Sequence, residues 1–149
     1  MSQSAAVLPD VDLERVARLR ATVMRLSRRM RQQASGGVTP SQLALLGSLE
    51  RHGPLTLGEV AAAERVQPPS ITRSARALED AGLIARSIVA EDRRAARVEL
   101  TPKGRRLIQA IRNERTAWLA RMVADLPARQ AADLWRGLEA LEHLVEGQA

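Results

Sequence analysis

The stretch from Arg65 to Gly104 constrains the fold more than any other part of the chain. It reads RVQPPSITRSARALEDAGLIARSIVAEDRRAARVELTPKG. Its order is a short helix, a strand, a charged loop, a second strand and a new helix start. The helix opens at Pro68-Pro69, because the first amides of a helix have no intrahelical partner and proline costs nothing there. Gly82 closes it, since glycine takes the left-handed conformation that ends helices. Ile71, Ala75 and Leu78 recur at spacings of four and three, which predicts one buried stripe. The opposite face carries Pro69, Arg73, Arg76 and Asp80, flanked by Ser70 and Thr72. Such a helix suits a DNA major groove. An ordinary amphipathic surface helix has the same pattern, so the helix alone does not decide.

The segments after it add the deciding context. Leu83–Ile88 and Ala96–Leu100 are short and aliphatic, and Val89–Ala95 separates them. Val98 and Leu100 alternate with Arg97 and Glu99, the period of a half-buried hairpin strand. The tip holds Glu91, Asp92, Arg93 and Arg94. Adjacent arginines at a tip fit a solvated turn; they also fit the narrow, electronegative minor groove. Helix, strand, basic loop and strand is the order of a winged helix-turn-helix.

Three motifs together resemble the MarR-type regulators, named for multiple antibiotic resistance. They are the helix PSITRxxxxLEDAGLI, the wing EDRRAARVEL and the helix start TPKG. The D-x-R wing followed by a strand and L-T-x-x-G is the specific part, and the flanking helices extend the likeness over nearly the whole chain. The resemblance implies a mainly α fold with a small β-hairpin wing, and a dimerisation region built from the N- and C-terminal helices. It implies a homodimer that binds a pseudo-palindromic operator, usually as a repressor released by a small anionic or phenolic ligand. Ser70, Thr72 and Arg73 would then face bases or nearby phosphates, beside Pro69, with Gln67 and Arg76 at the groove edges. Arg94 matches the arginine that enters the minor groove and Asp92 the acid that orients it; Arg93 shares either task. The ligand pocket would lie between the winged domain and the dimer helices. Arg86 matches a position that can meet a ligand carboxylate, while a phosphate contact or a plain surface arginine fits it equally.

Charge and composition agree with a polyanion partner. The formal net charge is +6. Residues 10–33 hold seven Arg against three acids, and residues 65–106 hold ten Arg or Lys against five. The first helix and the helix-plus-wing therefore carry the positive charge. With two Trp, no Phe and no Tyr, the chain lacks the stacking platforms used on single strands, so the expected partner is double-stranded DNA. The absence of cysteine excludes disulfides, cysteine redox sensing and zinc fingers. His52 and His143 lie far apart, without the neighbours a metal site needs, and no nucleotide or nucleophile-elbow motif occurs. Neither a cofactor nor an enzymatic activity is expected. No apolar run is long enough for a membrane span, and the start of the chain lacks a secretory signal, so the expected location is cytoplasmic.

The remaining segments organise around the wing. Residues 1–9 read as a tail. Residues 10–33 form one long helix with a seam at Val16, Leu19, Val23, Leu26 and Met30, which is either an intramolecular core stripe or half of a dimer interface. Arg28 and Arg29 near its end lie on a solvated face or touch the DNA backbone. Residues 38–100 make the DNA-binding domain. Within it Thr39-Pro40-Ser41-Gln42 caps a helix to His52, with Leu43, Leu46 and Leu49 as its stripe, and Thr56 starts a short alanine-rich helix. Residues 101–149 supply two more helices, with stripes at Leu107, Ile111, Trp118 and Met122 and at Leu134, Leu138, Leu141 and Val145. These terminal seams exceed what one small winged domain needs, so they predict wrapping with a second copy. Two other readings stay open: a helical module whose basic face meets an acidic protein, and a sequence-neutral architectural DNA binder.

Overall fold

Side-chain caps set where the helices begin. In a computed structural model that describes residues 11–88 and 96–147, Asp12 accepts from the amides of Glu14 and Arg15 at 3.0 and 3.1 Å. Helix α1 therefore spans Leu13–Gln33 rather than starting at Asp10. Thr39 and Gln42 form a reciprocal capping box over α2, Pro40–His52. Thr56 and Glu59 form a second over α3, Leu57–Glu64, with bonds of 2.7 and 3.1 Å. Each box satisfies amide donors that a helix start leaves unpaired.

Helix α4 spans Pro68–Asp80. Gly82 follows it at φ +70°, and the Leu83 amide donates to Leu78 O and the Gly82 amide to Glu79 O, both at 2.9 Å. That pair of bonds is a Schellman closure, which needs the left-handed residue that glycine supplies. Helix α5, Pro102–Ala124, is capped by Thr101, and α6 spans Ala128–Glu146.

Three strands form one antiparallel sheet in the order β1, β3, β2. They are β1 Leu55–Thr56, β2 Ile84–Ile88 and β3 Ala96–Leu100. In the hairpin, Ile84 pairs with Leu100, Arg86 with Val98 and Ile88 with Ala96. Val98 and Leu100 are buried while Arg97 and Glu99 are not, as the alternation predicts. Strand β1 pairs Leu55 with Val98. It has no counterpart in the sequence reading, because two residues carry no periodicity.

The core joins the winged elements. Leu45, Leu46, Leu49, Val60, Ile71, Ala75, Leu78, Leu83, Ile84, Val98, Leu100 and Ile108 form one buried cluster. Helix α2 lies at its centre and packs on α3, α4, β3 and α5. Two stripe assignments shift. Leu45, not Leu43, is buried on α2, since neighbours on both sides leave that helix a wide covered face. On α5 the buried members are Ile108, Ile111 and Trp118, while Met122 is exposed. The last turns of α5 run beyond the cluster, so nothing among the described residues covers Met122.

The terminal helices differ from the rest. Neither α1 nor α6 holds a fully buried residue. Helix α1 rests on α5, where Arg115 donates to Ala34 O through Nε at 3.1 Å and Nη2 at 2.8 Å. Val16, Leu19, Val23 and Leu26 of its seam are exposed, as are Leu134, Leu138 and Val145 on α6.

Candidate nucleic-acid interface

The turn into α4 is built by α3. Val60 and Ala61 are buried, and the small alanine side chains let α3 approach its neighbours closely. The buried Ser48 hydroxyl donates to Glu64 Oε1 at 2.7 Å, and Arg51 Nη2 donates to the same oxygen at 3.1 Å. Glu64 is thereby pinned at the end of α3. Arg65 follows at φ +53°, a left-handed conformation that costs a residue with a Cβ about 1–2 kcal/mol. Its amide reaches Ala62 O at 3.3 Å, and the next amide, of Val66, reaches Ala61 O at 3.1 Å. This strained corner aims α4 and was not legible in the sequence, where only Val66-Gln67 read as the turn.

Helix α4 presents two unlike faces. Ile71, Ser74, Ala75 and Leu78 are buried. Pro69, Ser70, Thr72, Arg73 and Arg76 are exposed. Gln67 occupies the N-cap position but makes no side-chain cap bond, so its amide group is not committed to the helix. The Thr72 hydroxyl donates back to Pro68 O at 3.1 Å, leaving its lone pairs and methyl outward. Ser70 sits on the flank, bordering a shallow pocket with Pro40, Ala44, Glu64 and Val66. Arg73 and Arg76 enter no ion pair among the described residues. Guanidinium groups outside any described ion pair can donate to phosphates and base edges, and the Thr72 hydroxyl oxygen can accept.

The other site residues predicted from sequence fall in separate places. Asp92, Arg93 and Arg94 lie outside the described residues. The base of the wing is held by Arg97, whose Nη1 donates to Pro54 O at 3.2 Å and whose Nη2 lies 3.9 Å from Glu59. The hydrogen bond from the Thr56 amide, and after it the adjacent Thr56 hydroxyl, holds the Glu59 carboxyl below its ordinary pKa, with a smaller contribution from Arg97. Arg86 on β2 places Nε 2.5 Å from Glu79 Oε1 and so ties the hairpin to α4. Arg28 is exposed on α1. Arg29 lies with its guanidinium 5.5 Å from the centre of the Trp118 ring, a cation–π contact at the α1–α5 junction. The structure therefore brings Gln67, Pro69, Thr72, Arg73 and Arg76 together on one surface and leaves Arg28 and Arg29 on another element.

Among the described residues no group of three or more His, Asp or Glu side chains could hold a metal ion. No described helix is long and apolar enough to cross a membrane.

Two crossing helices, the second exposed and arginine-bearing, with a paired hairpin behind them, define a winged helix-turn-helix DNA-binding protein. Comparison with known proteins narrows that class. Residues 38–96 match the model of the MarR family. An uncharacterized HTH-type transcriptional regulator of Mycobacterium bovis is 38% identical, over 87% of this chain and 95% of its own length. The transcriptional repressor MdtR of Bacillus subtilis is 39% identical over 60% of this chain and 58% of its own. The crystal structure of a putative transcriptional regulator from Pseudomonas aeruginosa superposes with a TM-score of 0.77 at 34% identity, covering 93% of this chain and 98% of that one. The chain belongs to the MarR family and is a DNA-binding transcriptional regulator, a class without enzymatic activity.

Proposed function

We propose that the protein is a cytoplasmic repressor that binds a pseudo-palindromic operator as a homodimer and leaves it when a small anionic or phenolic ligand binds. The observation that carries the DNA reading is the outward face of α4, where Gln67, Pro69, Thr72, Arg73 and Arg76 are exposed over a fully buried backing. In a dimer, two such helices enter successive major grooves about one helical turn apart. Ser70, Thr72 and Arg73 then face bases or nearby phosphates. By the family likeness, Arg94 enters the minor groove, oriented by Asp92 and assisted by Arg93. Arg28 and Arg29 contribute at most a phosphate contact.

The dimer reading rests on the apolar seams of α1 and α6, residues 10–33 and 101–149 forming the dimer region around the domain 38–100. The effector reading rests on a cleft of about 370 Å³ between α1, α2 and α5. Met30, Leu43, Ile108, Ile111 and Leu119 give it apolar walls, and Arg115 brings positive charge, while Arg51 and Arg112 are paired with Glu64 and Glu50. Arg86 suits an effector less well, since a ligand carboxylate would have to displace Glu79. The repressor role is supported by the likeness to MdtR.

The test is a salt titration of wild type and Arg73→Ala on two duplexes, one selected from a random pool by the wild-type protein and one of random sequence. A base-reading Arg73 loses roughly 1–3 kcal/mol on the selected duplex alone. A purely phosphate-binding Arg73 weakens on both, with the salt slope falling by about one unit. Unchanged affinity on both duplexes removes Arg73 from the interface, and with it the placement of α4 in the groove.

A further inference from the structure

Helix α5 starts against the end of α4, and four features join the two. The Thr101 amide donates to Leu83 O at 3.1 Å. The Thr101 hydroxyl donates to Gly82 O at 2.7 Å while accepting from the Gly104 amide at 3.1 Å. Lys103 Nζ donates to Ala81 O at 2.7 Å. Gly104 is buried against this seam, and a Cβ there would stand 2.1 Å from Leu83 O. The three accepting carbonyls, of Ala81, Gly82 and Leu83, are consecutive. Ala81 is the C-cap of α4, and Gly82 and Leu83 form the turn that leaves it. Lys103 bonds the C-cap carbonyl, at the negative end of the helix dipole, and Thr101 holds the turn.

We propose that Thr101, Lys103 and Gly104 are positioning residues for DNA reading, clamping the recognition helix to α5 so that operator affinity depends on three residues that need not touch DNA. The inference rests on α4 being the helix that reads the groove. Attraction to phosphates tolerates many orientations, whereas base-edge hydrogen bonds weaken steeply away from their preferred angle. A loosened clamp lets α4 sample orientations that cannot read the bases. Apparent affinity for the operator then falls by the fraction of molecules still competent. Non-specific affinity, which needs no such alignment, does not fall. Because α5 also lines the apolar cleft, the clamp gives that helix a link to α4 beside the one through α2.

The experiment uses full-length Lys103→Met, Thr101→Val and Thr101→Ser on the same selected and random duplexes across a salt series. Lys103→Met and Thr101→Val should each lose about fivefold to tenfold on the selected duplex, the scale of one net hydrogen bond. Random-duplex affinity and the salt slope should stay unchanged, and Thr101→Ser should bind like wild type. Hydrogen exchange at the Gly82 and Leu83 amides should accelerate in the two weakened variants. If Lys103→Met weakens both duplexes and lowers the salt slope by about one unit, Lys103 is a phosphate contact and the clamp reading fails for it. Should Thr101→Val not fold, Lys103→Met decides, since its side chain is exposed. Wild-type selectivity in Lys103→Met and Thr101→Val overturns the proposal. Arg73→Ala separates the two levels: selectivity lost there but kept in the clamp variants refutes the clamp alone, and affinity unchanged on both duplexes in Arg73→Ala refutes the placement of α4 itself.

Discussion

The winged core and the terminal helices solve the burial problem in different ways. Elements α2 to β3 share one cluster in which Leu45, Leu46, Val60, Ala75 and Val98 are fully covered. Helices α1 and α6 contain 21 and 19 residues and bury none completely, although their apolar seams are as regular. A helix gains most of its stability from packing an amphipathic face. The core therefore specifies itself within one chain, whereas the seams of α1 and α6 stay exposed among the described residues. The first region presents α4; the exposed seams of the second are the ground for the proposed second copy.

The largest effects should come from breaking the core. Leu46→Ala should cost about 2–5 kcal/mol, the range for a fully buried leucine. Denaturant unfolding should show this loss at every protein concentration. A cost below about 1 kcal/mol would mean that α2 is not the centre of the fold.

Gly104→Ala should also destabilise, by roughly 1–3 kcal/mol. The added methyl meets the Leu83 backbone rather than a side chain that could move away. Thermal unfolding checks this, and a neutral result would show that α4 and α5 are less closely apposed than described.

Leu138→Ala sharpens the comparison from the other side. Leu138 is exposed within one chain, so the substitution should leave stability nearly unchanged at high dilution. At micromolar concentration and above it should lower the melting temperature and weaken the dimer in analytical ultracentrifugation. Stability of an assembled species depends on protomer concentration by mass action. A wild-type chain that sediments as a folded monomer would remove the second copy from this account.

The smallest effect concerns Glu59 in the second capping box. Its pKa is lowered in the folded state, so its carboxylate contributes stability above its ordinary, unfolded pKa. That contribution is lost as pH falls through the lower, folded value. Glu59→Gln keeps a box-compatible side chain and should change little near pH 7 at high salt. Melting temperature against pH should fall less steeply for the variant than for wild type below about pH 4.5. Parallel curves would show that the cap is indifferent to charge.

Much of helix α4 was legible in the sequence. Pro68-Pro69 and Gly82 marked its ends, and the spacing of Ile71, Ala75 and Leu78 marked its buried side. These signals are local: each is carried by residues within one or two turns of one another. The winged helix-turn-helix class followed from the order of such local elements.

The sequence by itself determined where helices start, through Thr39, Thr56 and Thr101, and which strand of the hairpin alternates. Capping, turn chemistry and periodicity act over a few residues and need no partner. Only the tertiary structure decided that Leu45 is buried, that Leu55 and Thr56 form a strand, and that Arg86 holds Glu79. It alone placed Arg29 over Trp118 and gave Thr101, Lys103 and Gly104 their seat on the end of α4. Each of these contacts joins separate elements, Arg29 and Trp118 across nearly ninety residues. Its existence depends on how those elements pack together, which no local pattern of residue types encodes.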